Sequence, residues 1–76
     1  MQMNLFVNSM PRLAQRDVIL KHLKTKGSIS ALEATSLYRI YRLAARINDL
    51  RKSGVEIVTE MKSDMTGKRY ARYHIK

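Results

Sequence analysis

The chain has 76 residues, with fifteen Lys and Arg against six Asp and Glu, a formal net charge of +9 and a hydrophobic content of 45%. That length holds one domain with a single small core, and the apolar share is too high for a disordered polycation. The absence of cysteine excludes a disulfide framework, a thiolate zinc site and thiol catalysis, while the charge makes a polyanion, nucleic acid or acidic lipid, the expected partner.

Residues 1–11 carry no charged side chain, and all fifteen basic residues fall between Arg12 and Lys76. The division expected is therefore an uncharged N-terminal segment, 1–11, and a folded domain, 12–76. Met1, Met3, Leu5 and Val7 alternate along the segment, which suits a covering strand, a tail or a contact between two copies. Pro11 fits the first turn of a helix, where its missing N–H costs nothing. Leu13, Ile19, Leu20 and Leu23 then recur close to helical spacing, which predicts a first helix from about Pro11 to Lys26. Gly27 stops it, and Lys24 and Lys26 complement the dipole of its last turn. His22 is read as a boundary residue of this helix and not as a ligand.

Ser30 followed by Glu33 forms a capping box, with the serine oxygen accepting from one orphan N–H and the glutamate reaching back to another. A second helix of about two turns is predicted over 31–37, with Ile29 in a short strand before it. Ile40, Leu43, Ile47 and Leu50 step by three, four and three, within about 80° of one another on a helix. They predict a third helix that ends at Ser53-Gly54, with Arg51 and Lys52 in its last turn. The face opposite this stripe carries Tyr41, Arg42, Ala45, Asp49 and Lys52, and Arg39 and Arg46 lie on one flank.

After Gly54 the pattern becomes extended. Val55 to Thr59 is β-branched, and in 68–75 Ala71, Tyr73 and Ile75 alternate with Tyr70, Arg72 and His74. Residues 61–67 are polar and end in glycine, hence a hairpin loop. Tyr73 is expected in the core, with Tyr70 and His74 at the surface. The fold class is α+β: a three-helix core with a C-terminal two-stranded β-hairpin.

A short helix, a brief turn and a longer helix with an apolar back and a basic front form a helix-turn-helix pattern. The major groove admits one helix, which must be anchored on one side while polar side chains face bases and phosphates. Arg42 and Arg46 could each fork onto guanine, and Ala45 is small enough to let the helix sit deep and touch a thymine methyl. Arg39 and Tyr41, near the helix start, are placed for phosphates. Asp49 would repel a phosphate, so it either pairs with Arg42 or Arg46, the favoured reading, or accepts from a cytosine amino group. Lys62, Lys68, Arg69 and Arg72 on the hairpin would follow the backbone or the adjacent minor groove.

The order of these elements resembles the winged helix-turn-helix DNA-binding domain. Gln15 to Gly27 is similar to that family's first helix, Ser28 to Ala34 to the start of its second, and Arg46 to Gly54 to the end of its third. More narrowly, Arg46-Ile-x-x-Leu-Arg-x-x-Gly54 with a following strand and a late Tyr73-x-Ile75 looks like small phage and prophage winged-helix proteins. The resemblance covers residues 12–76. It implies roles on the reading helix for Tyr41, Arg42, Ala45 and Arg46, and on the wing for Lys62, Lys68 and Arg69. The turn Tyr38-Arg39-Ile40 departs from the pattern by lacking a glycine.

The expected function is sequence-specific binding of double-stranded DNA by a small phage or mobile-element transcriptional regulator. Two other readings stand beside it: a module whose basic face docks an acidic host protein, and an excisionase-like factor that bends DNA. A homodimer is among the expected assemblies. No nucleophile–base pair, carboxylate pair, metal-ligand set or phosphate-binding glycine loop is legible, so no enzyme, cofactor or metal is expected. No apolar run approaches the roughly 18 residues of a membrane span and no signal-peptide pattern is present, so the cytoplasm is the expected location.

Overall fold

A computed structural model describes residues 11–76. The expectations for the N-terminal segment fall on residues outside this range, apart from Pro11. The elements follow the order α1 (Arg12–Lys26), β1 (Ser28–Ser30), α2 (Ala31–Tyr38), α3 (Leu43–Lys52), β2 (Ile57–Ser63) and β3 (Arg69–Ile75). This is the expected α+β architecture of three helices and a C-terminal antiparallel hairpin.

Pro11 sits just outside α1 as its N-cap, extended at φ −60° and ψ 156°, and its carbonyl accepts from Gln15 N–H at 2.9 Å. The helix stops at Gly27, whose φ of 92° lies in the left-handed region and whose N–H returns to the Leu23 carbonyl. Only glycine adopts that conformation without a Cβ penalty. The capping box at the start of α2 forms in both directions: Glu33 N–H donates to Ser30 Oγ at 3.3 Å, and Ser30 N–H donates to Glu33 Oε1 at 3.0 Å.

The turn after α2 differs from the sequence expectation. Arg39 takes the left-handed conformation, φ 55° and ψ 35°, that a glycine commonly supplies. Its N–H donates to the Thr35 carbonyl, and that of Ile40 to the Ala34 carbonyl. The chain then stays non-helical through Arg42, the N-cap of α3. Ile40 is 1% exposed and belongs to the core, but it is a turn residue and not part of the reading helix. Its spacing fits a helix because the turn returns the chain to the same apolar centre.

The hairpin also gains a third strand. The sheet order is β1-β3-β2, both pairs antiparallel, with Ile29 opposite Tyr73 and Thr59 opposite the same residue from the other side. β2 runs to Ser63, further than the β-branched stretch alone predicts, because cross-strand pairing with β3 extends it. The loop shrinks to a tight turn in which Asp64 Oδ1 accepts from the backbone N–H of Thr66 (2.9 Å) and Lys68 (3.0 Å) and from the Thr66 hydroxyl (2.6 Å). The Thr66 hydroxyl bond is the main cause that holds this carboxyl below the ordinary aspartate range.

The core joins every layer: Ile19 and Leu23 of α1, Ile29 of β1, Ala34 of α2, Ile40 of the turn, Leu43, Ile47 and Leu50 of α3, and Ile57 of β2. Tyr73 and Ile75 lean against it from β3. His22 is more deeply placed than a boundary residue. It is 6% exposed, its ring meets Tyr38 edge-on, and Nδ1 lies 2.7 Å from the Tyr38 hydroxyl, so a polar pair closes the contact between α1 and α2.

Candidate nucleic-acid interface

The three buried residues of α3, Leu43, Ile47 and Leu50, fix its inner side. At about 100° per residue, Ala44, Asn48, Lys52 and Ala45 then fall within roughly 100° of arc on the outer side. Ala44, Asn48 and Lys52 are exposed and Ala45 is half-buried. Tyr41 and Arg42, both exposed, stand at the helix start in the turn, with Arg39 just before them. Among the described residues, Arg39, Tyr41, Arg42, Asn48 and Lys52 make no side-chain hydrogen bond or ion pair. The sequence places Tyr41, Arg42, Ala45, Asp49 and Lys52 on this face; Asp49 turns instead toward Arg12 of α1, and the exposed Asn48 is not among them. Asn48 lies about 60° from the face centre set by the apolar stripe, as far as Arg42 would on a continuous helix. The same helical wheel admits both.

Arg46 is not on that face. It is turned toward α1, its side chain 12% exposed, and donates to Asp49 Oδ2 at 3.0 Å and to Gln15 Oε1 at 3.2 Å. Asp49 also accepts from Arg12, Nε at 2.9 Å and Nη2 at 2.6 Å. This three-membered ion pair fastens the start of α1 to the middle of α3. The Arg12 hydrogen bond holds the Asp49 carboxyl below its usual range, against the opposing effect of burial, and the same bond raises the Arg12 guanidinium. Asp49 thus pairs with Arg46, as expected, and with Arg12, which sequence reasoning missed because the two lie 37 positions apart. Arg51 is occupied as well: it donates to the Ile57 carbonyl and to Thr59 Oγ1, tying the end of α3 to β2.

Strand alternation sorts the hairpin residues. Ile57 faces the core, so Thr59, Met61 and Ser63 share its side, opposite Tyr73, Ala71 and Arg69. This side continues the outer surface of α3. Ala71 and Tyr73 meet Ala31, Tyr41, Arg42, Ala44 and Ala45 around a cleft of about 310 Å³. Lys62 and Arg72 fall on the other side with Glu60 and His74. There Lys62 Nζ lies 3.8 Å from Glu60 Oε2, and His74 bonds the same carboxylate.

Arg72 reaches Glu33 Oε1 at 3.1 Å and Ser28 Oγ at 2.8 Å. Burial tends to raise the Glu33 carboxyl, but hydrogen bonds from Arg72 and the Ser30 N–H outweigh it and the net shift is downward. The expected wing set of Lys62, Lys68, Arg69 and Arg72 is therefore divided. Arg69 lies on the α3 side and Lys68 at the tip, both exposed and unpaired among the described residues, whereas Lys62 and Arg72 are turned away and paired. A residue-type reading cannot make this division, because it depends on strand register.

No group of three His, Asp or Glu side chains able to hold a metal forms among the described residues, and no helix among them is long and apolar enough to cross a membrane. A family model described as a winged helix-turn-helix domain matches residues 14–76. No curated protein and no solved structure gave a significant match.

Proposed function

Because the chain belongs to the winged helix-turn-helix family, we propose that it binds double-stranded DNA sequence-specifically, with α3 in the major groove and the hairpin beside it. The observation that carries this reading is the distribution of pairing. Arg12, Arg46, Arg51 and Arg72 are held by internal partners, while Arg39, Arg42 and Lys52 around α3, and Lys68 and Arg69 on the hairpin, are left open on the surface. Arg42 and Ala45 take base-edge roles, and Arg39, Tyr41 and Lys52 take phosphates. On the wing, Arg69 and Lys68 contact the backbone or adjacent minor groove, with Met61 beside them. Arg46, Lys62 and Arg72 support the scaffold.

The role that fits this small unit is a transcriptional regulator of a phage or mobile element, acting alone or as a pair on a two-fold site. Selection of bound duplexes from a random pool tests the reading. A defined consensus is expected, palindromic if two copies bind. Affinity should fall with salt at a logarithmic slope of about −3 to −5, for three to five neutralised phosphates. Enrichment of no sequence would overturn it in favour of a basic module that docks an acidic protein.

A further inference from the structure

We propose that Asn48 reads an adenine, making it the residue that gives this surface its base identity at one position of the target. The inference rests on the DNA-binding reading and adds a base to it. Asn48 lies in the middle of α3 and is exposed, with no side-chain partner among the described residues. Asparagine is a poor helix former. Here it caps no helix end and bonds no turn, so nothing inside the fold accounts for it.

Its surroundings favour close approach. Ala44 and Ala45 stand one turn before it and present only methyl groups, so that turn carries no long side chain to hold the helix away from a groove floor. Its neighbour Asp49, the one carboxylate of α3, is drawn to the α1 side by Arg12 and Arg46. No acid therefore competes for the carboxamide donor or repels the duplex beside it.

The chemistry then selects the base. The carboxamide carries a donor, Nδ2–H, and an acceptor, Oδ1, side by side. The major-groove edge of adenine carries the complementary pair, N7 as acceptor and the N6 amino group as donor. Arg42 and Lys52, the charged residues nearest the same face, only donate, which suits guanine or phosphate. Asn48 is the residue of the exposed α3 face that offers both functions from one planar group. A bidentate pair of this kind discriminates by about 5- to 150-fold against the wrong base.

The test uses duplexes selected by the wild-type chain from a random pool, with each adenine replaced in turn by 7-deazaadenine, which keeps Watson–Crick pairing and removes the N7 acceptor. At one adenine the wild type should lose about fivefold or more in affinity, and Asn48→Ala should show no further loss there. Asn48→Asp, which can accept from the cytosine amino group but cannot donate to N7, should move the selected base at that position toward cytosine. Both variants should keep the wild-type melting transition, because the side chain is exposed. If Asn48→Ala selects the wild-type consensus with the same 7-deazaadenine sensitivity, the assignment to Asn48 is wrong while DNA binding stands. If the wild-type chain enriches no duplex, both readings fall together.

Discussion

Arg42 and Arg46 lie one helical turn apart and are chemically identical, yet they end in opposite circumstances. Arg46 is withdrawn into a pairing with Asp49, which Arg12 also joins, and with Gln15. Arg42, at the N-cap of α3, has no partner among the described residues. The difference shows that the net charge of +9 consists of two populations. One set of arginines holds helices and strands together, and the other is kept clear of acids. Acceptors brought in by folding separate them: Asp49 and Glu33 capture Arg12, Arg46 and Arg72, and the Ile57 carbonyl with the Thr59 hydroxyl captures Arg51.

The largest effect that bears on this contrast lies on the buried side of α3. Ile47→Ala should cost about 2–5 kcal/mol in urea unfolding, a large share of the stability of so small a domain. It should weaken DNA binding only through loss of folded protein. Arg42→Ala should do the reverse. It should lower affinity for the selected duplex by about 5- to 150-fold, measured by fluorescence titration, with an unchanged melting temperature. Loss of stability in that variant would mean that Arg42 has an internal role like that of Arg46.

Arg46→Ala is expected to reduce stability by about 1–2 kcal/mol and to leave the selected consensus unchanged. The acid limb of the stability profile probes the same cluster. The Asp49 carboxyl is depressed in the folded chain, so the folded state binds fewer protons there than the unfolded state. Its contribution is complete above the unfolded value of about 4 and is lost as pH falls through the depressed folded value. Asp49→Asn should therefore be less stable at neutral pH and show a flatter decline on acidification, followed by urea midpoints between pH of about 6 and about 2.

The smallest effect concerns Arg39. Arg39→Gly should relieve the left-handed backbone and stabilise by about 0.5–1 kcal/mol after the entropic cost of glycine. If Arg39 touches a phosphate, the same change should reduce the salt slope by about one. A more stable variant with an undiminished slope would confine Arg39 to the turn.

Much of the fold is legible in the sequence because its signals are local. Gly27, the Ser30–Glu33 box and Gly54 act on neighbours within one turn, and the Leu43–Ile47–Leu50 stripe needs only helical periodicity. What escaped depends on distant partners. The short strand around Ile29 is expected from the sequence, but its pairing with residues 72–74 is not, and the Arg12–Asp49 contact spans 37 positions. Helical spacing carries the expected α3 back past its start at Leu43 because Ile40, a buried turn residue, imitates a helical one.

The division of the site follows the same rule. Helical periodicity puts Tyr41, Arg42 and Ala45 away from the apolar stripe, and the structure leaves Tyr41 and Arg42 exposed in the turn before α3 and Ala45 half-buried on it. The withdrawal of Arg46 and Arg72 depends on acids brought in by folding, and the sorting of Lys62 from Arg69 depends on register.

Ser30 belongs to two elements at once, and this has a mechanical consequence. It pairs with Arg72 as the last residue of β1, and it caps α2 with its side chain. Glu33, its partner in the cap, is also the residue that grips Arg72. A load applied to the tip of the hairpin passes along β3 to Arg72 and arrives at the first turn of α2. The hairpin is thus clamped like a cantilever to the base of the helix pair rather than hung from its own loop. The angle between the hairpin and the helix pair is therefore set at Ser30, Glu33 and Arg72, and not at the hairpin's own turn at Asp64.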